Sequence, residues 1–289
     1  MIQKSLVKFA CGVVGMAAGL VACSPEENAP GRYLGEAQSL GNGTIQTFVE
    51  TRADGTPAVI GIEMTATALV GLPEKRNNTS RCYDVDGDGT LGPMECEGDE
   101  ERKLDLPAEA ADMDLPFTWA GVNFNPEGHI PQNWAVPHFD FHFYMVSQEA
   151  IKNIRTGSCG ILMNCDDFAV ATKPVEARFT PPDYISIGAA VSEMGNHLLD
   201  STSPQAGPPF AKAEHILVFG AYDGHITFIE PMITMEVLVS NPDACFAIKQ
   251  PEAYEVAGYY PTEYCITATE DVTTVSLEGL TRHPAATSD

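Results

Sequence analysis

The sequence predicts a mainly β protein: a twisted antiparallel sheet or barrel with few short helices and one calcium-loop insert, with an α+β arrangement as the alternative. Three observations predict it. β-Prone runs flank Asp54-Gly55 and Asp223-Gly224, dipeptides typical of tight hairpins. The run Pro137-His-Phe-Asp-Phe-His-Phe-Tyr144 alternates two residue classes with period two. Only one short stretch, residues 147–155, reads clearly as helix, with Ser147 as N-cap and Gly157 just past its end.

The first 22 residues read as an export signal. Lys4 and Lys8 form a positive n-region, and residues 9–20 are apolar but too short for a typical membrane span. Leu20-Val21-Ala22-Cys23 has the form of a bacterial lipobox. Cys23 then becomes the lipidated first residue of the mature chain and anchors it to a membrane. Ser24, in place of Asp, fits outer-membrane sorting, on the periplasmic or surface face of the cell envelope. Residues 23–33 read as a polar tether, and residues 34–289 as a single β-rich domain.

Along that domain, residues 43–51 and 58–67 read as a hairpin, which Leu69-Val-Gly-Leu-Pro73 ends. Residues 74–115 are acidic and poor in large apolar side chains, and read as an insert. Residues 117–125 form a short strand, Asn125-Pro-Glu-Gly-His129 a turn, and the histidine run the next strand. Residues 175–184 are extended and broken by proline, and Ser192 to His197 lie in a loop or at a strand edge. Residues 215–222 and 225–229 form a second hairpin. Residues 231–238 suit either helix or strand, residues 254–264 are an aromatic loop, and the last ten residues read as frayed.

The whole chain carries 16 basic and 40 acidic residues. Loss of residues 1–22 removes two lysines and no acid, leaving a net charge of −26. That excess argues against nucleic acid and against anionic lipid as partners. It favours solubility and attraction of cations; a saline habitat explains it equally well. Six cysteines remain after Cys11 leaves with the signal and Cys23 takes lipid. Proximity pairs them as Cys82/Cys96, Cys159/Cys165 and Cys245/Cys265, as disulfides of an exported protein.

Asp84-Val-Asp86-Gly-Asp88-Gly89-Thr90-Leu-Gly-Pro-Met-Glu95 matches the twelve-residue EF-hand loop. Asp84, Asp86 and Asp88 fall at ligand positions 1, 3 and 5, Gly89 at the turn, Thr90 at the carbonyl position, and Glu95 at the bidentate one. No helix pair flanks the loop. Cys82 and Cys96 bracket it in its place, so the expected role is a structural calcium site. An acidic turn without an ion is the plainer alternative.

On a strand, His138, Asp140 and His142 share one face and Phe139, Phe141 and Phe143 the other. Neutral imidazole is the commonest metal ligand. The candidate set for one transition metal is His129, His138, Asp140, His142, His197 and Glu230, a composition that suits Fe(II), Mn or Zn. Histidines held by Asp140 and water, with no metal, are the equal alternative. His225 reads as a turn residue, and His215 and His283 as structural or exposed. No Gly-x-Ser-x-Gly, His-Glu-x-x-His or phosphate loop is present. Tyr144, Glu193 and Glu230 are acid/base candidates by position alone.

Several passages together resemble an uncharacterised family of exported bacterial proteins. They are residues 61–73, Asn125 to His129, Pro137 to Tyr144, Met194-Gly-Asn-His197, Tyr222-Asp-Gly224 and Phe228-Ile-Glu-Pro-Met232. A representative occurs in a thermophile, under extracytoplasmic stress-sigma control. The resemblance covers roughly residues 34–73 and 116–240, leaves the calcium insert as particular to this chain, and implies no reaction. Two functions follow. One is an envelope protein with a transition-metal site. The other is a non-catalytic envelope or stress module with structural histidines. Both leave open a small-molecule or protein ligand and a homo-oligomeric assembly.

Overall fold

The computed structural model describes residues 30–76, 81–91, 95–97, 101–129 and 131–287. The export signal, Cys23 and most of the tether lie outside them. In chain order the first strands are β1 (Arg32–Leu34), β2 (Gln38–Leu40), β3 (Gly43–Thr51) and β4 (Pro57–Thr65). A small ribbon of β5 (Arg81–Cys82) and β6 (Cys96–Glu97) precedes β7 (Arg102–Asp105), β8 (Trp119–Asn125) and β9 (His138–Tyr144). Next come α1 (Gln148–Lys152), β10 (Thr156–Cys159), α2 (Cys165–Ala171), β11 (Tyr184–Val191) and β12 (Gly195–Asp200). They are followed by β13 (His215–Tyr222), β14 (His225–Thr234) and α3 (Met235–Leu238). β15 (Asp243–Ala247), β16 (Gly258–Tyr260), β17 (Glu263–Ala268), β18 (Val272–Glu278) and β19 (Thr281–His283) complete the chain.

Two antiparallel seven-stranded sheets result. The first has the order β1-β3-β4-β18-β17-β15, with β2 also on β3; the second is β11-β12-β13-β14-β9-β8-β7. Neither closes into a barrel. Their inner faces share one core, in which Ile45, Val49, Ile60 and Ile62 of the first sheet join Phe139, Phe141, Phe143 and Ile229 of the second. The phenylalanine row of β9 is the centre of that core, each ring fully buried. Area lost from water is the main stabilising term there.

Local chemistry explains the joints. Asp223 and Gly224 both adopt positive φ between β13 and β14, as a two-residue hairpin requires. Ser147 caps α1 by accepting from the Ala150 N–H. Residues 231–238 divide between the two expected forms: β14 runs to Thr234, whose hydroxyl then caps α3. The 254–264 loop contains the short strand β16, which pairs with β19 and so ties down part of the expected frayed end, and it runs into β17 at Glu263.

Two boundaries differ from the sequence expectation. β1 starts at Arg32, inside the expected tether, because Arg32 and Tyr33 pair with Glu50 and Val49 of β3. The last part of the 74–115 segment belongs to the second sheet, since β7 pairs along β8 and buries Leu104. Two apolar residues, Leu104 and Leu106, anchor that stretch despite its charge.

The outer face of the second sheet is covered. Ile151 of α1, Met163 ahead of α2 and Ala171 of α2 pack on Trp119, Tyr144 and Phe228. On the other side, Trp134 and Ala213 pack on Ile216, Val218 and Met232. Between these two apolar patches lies a polar strip.

Candidate metal centre

β9 supplies the strip. Its outward residues His138, Asp140 and His142 face Asn125, Asn123 and Gly121 across β8. On the other side, β14 places Thr234 opposite His138 and Met232 opposite Asp140, with Glu230 next on the same face. His197 arrives from β12, where it pairs with Gly220 of β13. Gly220 is needed there: a Cβ would stand 2.0 Å from the Phe228 ring. His197 packs on that ring, at 5.3 Å between centroids.

The six candidates come together as two sets of three, not one set of six. His142, His197 and Glu230 form one, and His129, His138 and Asp140 the other; within each set the donor atoms lie within 4.8 Å of one another. In the first set, His142 Nε2 is 3.6 Å from Glu230 Oε1, and His197 Nε2 is 3.5 Å from Glu230 Oε2. These separations are too long for hydrogen bonds. Donors bound to one ion at about 2.1 Å lie about 3.0–3.4 Å apart at octahedral or tetrahedral angles, close to what is seen.

Backbone carbonyls set the tautomers. His197 Nδ1 donates to the Ala189 carbonyl at 2.9 Å, and His138 Nδ1 to the Val136 carbonyl at 2.8 Å. In each neutral ring the Nε2 lone pair then faces inward. This is the orienting contact typical of ligating histidines. Sequence reasoning had no signal for either carbonyl. Nor had it one for Asn125, whose amide donates to Asp140 Oδ2 at 2.6 Å.

Two carboxylate oxygens, Glu230 Oε2 and Asp140 Oδ1, are buried and accept no hydrogen bond from any described residue. Burial, reinforced by the nearby Asp140 charge, pushes the Glu230 carboxyl well above its ordinary value. Burial pushes His197 down to about 4 and lowers His138 as well. Without an ion, burial therefore favours the protonated carboxyl of Glu230 and the uncharged imidazole of His197.

Both sets open on one cavity of about 300 Å³, lined by His129, Asp140, His197 and Glu230 among apolar residues. Ile187 and Phe210 of its wall are also exposed to solvent. The other candidates lie elsewhere. His225 bonds Glu255 at 2.9 Å beside a second cavity of about 230 Å³. His215 contacts the Tyr264 hydroxyl, and His283 the Thr281 hydroxyl. Tyr144 stacks on Trp119, and Glu193 faces Lys103 at 3.5 Å.

In the 84–95 loop, oxygens of Asp84, Asp86 and Glu95 converge within 4.8 Å. Backbone N–H groups wrap them: Gly87 and Gly89 donate to Asp84, and Val85 to Glu95 at 2.7 Å. Gly87 and Gly89 have positive φ, which the tight wrap requires. Asp88 turns instead to the Thr90 side chain and N–H, which hold its carboxyl below the usual range. Positions 92–94 lie outside the described residues. Cys159–Cys165 and Cys245–Cys265 are disulfides, so the nearby Cys245, Glu263 and Cys265 group has no free thiolate. Cys82 and Cys96 are Cα partners across the β5–β6 ribbon.

No protein-family model, curated protein or solved structure matches the chain.

Proposed function

We propose that this is an exported, lipid-anchored protein of the bacterial cell envelope that holds a first-row transition ion on His142, His197 and Glu230. Glu230 carries the reading. Its carboxyl is buried, with one oxygen that accepts no hydrogen bond from any described residue and two imidazole nitrogens 3.5 and 3.6 Å away. An unpaired buried carboxylate is costly, and a divalent ion removes that cost while using both lone pairs. Two imidazoles and a carboxylate suit Fe(II), Mn or Zn. Three protein donors leave coordination positions open toward the cavity, where a small molecule reaches the ion.

In the same reading calcium occupies the 84–95 loop, whose all-oxygen donor set suits a hard cation. Its role is to brace the ribbon that carries it. Cys23 takes the lipid.

The test is elemental analysis of the mature chain beginning at Ser24, purified without chelator or histidine tag. At least one Fe, Mn, Zn or Cu per chain is expected. Glu230→Gln and His197→Ala should each remove one equivalent and leave calcium unchanged. Transition-metal content identical in wild type and both variants, or calcium as the sole metal, overturns the reading.

A further inference from the structure

We infer that His129, His138 and Asp140 hold a second transition-metal ion, so that the cavity floor carries a two-ion centre. This extends the metal reading above, but it rests on its own donor atoms. His138 Nε2 lies 3.1 Å from His129 Nε2 and 3.4 Å from Asp140 Oδ1. The His138 proton is committed to Val136 through Nδ1, so its Nε2 brings a lone pair, which the Asn125 amide also approaches at 3.3 Å.

The bland account is a hydrogen bond from His129 to His138. With the Asn125 amide 3.3 Å from the same Nε2, it accounts for the contacts of His138 but not for Asp140 Oδ1. Asp140 is 7% exposed; Asn125 satisfies its Oδ2 at 2.6 Å, while its Oδ1 has no hydrogen bond from any described residue. A buried acceptor left unpaired is destabilising. One ion placed among the three donors uses both Nε2 lone pairs and that oxygen. Asn125, by holding Oδ2, keeps Oδ1 aimed at it.

A single ion cannot serve both sets. Donors of one ion bonded at about 2.1 Å lie no more than about 4.2 Å apart. The donor atoms of the six residues do not all lie within 4.8 Å of one another, so they form two groups and not one. The period of β9 instead spaces the two ions by on the order of 7 Å, one same-face step. Both sets line the same cavity. Two divalent ions against two carboxylates leave positive charge facing it, so the loaded centre takes an anionic ligand that reaches both ions.

The experiment is a Co(II) titration of the chelator-treated mature chain, with calcium present throughout to fill the acidic loop. Bound cobalt is counted by equilibrium dialysis. Wild type should bind two per chain. Asp140→Asn and His129→Gln should each bind one, and Glu230→Gln should bind one. Should Asp140→Asn fail to fold, His129→Gln carries the test, because His129 is only partly buried. Two bound ions with Asp140→Asn and His129→Gln unaffected would sink the second site. So would one ion in wild type, whether lost in all three variants or only in Glu230→Gln. Loss in Asp140→Asn and His129→Gln but not in Glu230→Gln keeps the second site and removes the first instead. Electron–electron coupling between two Cu(II) ions in wild type, absent from each variant, checks the spacing.

Discussion

The two sheets have the same number of strands and share one core, but their outer faces differ in how they treat charge. On the first sheet, Arg32 pairs with both Glu50 and Glu63 and lies 3.9 Å over the Phe48 ring; Gln46 adds a bond to Glu63. These groups meet water as well as each other. On the second sheet, Asp140 and Glu230 are buried among imidazoles, each with an oxygen that makes no hydrogen bond to a described residue. Acids and bases occur on both faces, so residue type does not mark the site. What marks it is withdrawal from water without compensation. Exposed ion pairs contribute about 0–1 kcal/mol each, whereas a stranded buried acceptor costs more than such a pair returns. The second face gives up stability that a bound ion would restore.

The largest expected effect tests whether the two faces of β9 are separate compartments. Phe141→Ala should destabilise the protein by about 3–5 kcal/mol in chemical denaturation, as for other large core deletions. His142→Ala, on the opposite face of the same strand, should cost less and cost mainly metal. Equal losses would mean that the faces are not independent.

A middle-sized effect sharpens the contrast in solvation. Glu230→Met replaces the stranded carboxyl with an apolar chain of similar length, and should stabilise the metal-free protein by about 1–3 kcal/mol at neutral pH. The sign of its pH dependence follows from the raised Glu230 pKa. In the unfolded chain Glu230 ionises in the ordinary carboxylate range; in the folded chain it holds its proton longer. Stability of the metal-free protein therefore falls as pH rises from that range through the raised value. Glu230→Met should remove this component of the slope, measured by urea midpoints between pH 4 and 8. A slope unchanged in the variant would contradict the burial argument.

The smallest effect is on the first sheet. Arg32→Ala should change stability by less than about 1 kcal/mol, be sensitive to salt, and leave metal content untouched. A cost of several kcal/mol would erase the distinction between the faces.

Much of this was legible because strand chemistry repeats over two residues and tight turns over four. The hairpin of β3 and β4, the turn at Asp223-Gly224, the two faces of β9 and the sequence-local disulfides Cys159–Cys165 and Cys245–Cys265 all follow from short-range pattern. The division of six ligand candidates into two sets was not legible. It depends on β14 lying beside β9 and on β12 delivering His197 across Gly220, register relations that no local pattern encodes. The same holds for Ala189, Val136 and Asn125, which act through a carbonyl or an amide at positions of no distinctive composition. β7 was hidden for a different reason: an edge strand needs only one buried side chain in a charged setting, and Leu104 is that residue.

The alternation along β9 also limits how this gene can change. Its seven residues are all buried, three as rings in the core and the rest toward the covered strip. Removing one codon within residues 138–144 would turn the remainder of the strand over, carrying imidazoles into the hydrocarbon layer and phenyl rings into the cavity. A shift by two would preserve the faces yet bring a histidine opposite Asn123 in place of the aspartate. Length variation in this part of the chain is therefore confined to the connections on either side, residues 126–137 and 145–147, while the strand itself can change only by substitution.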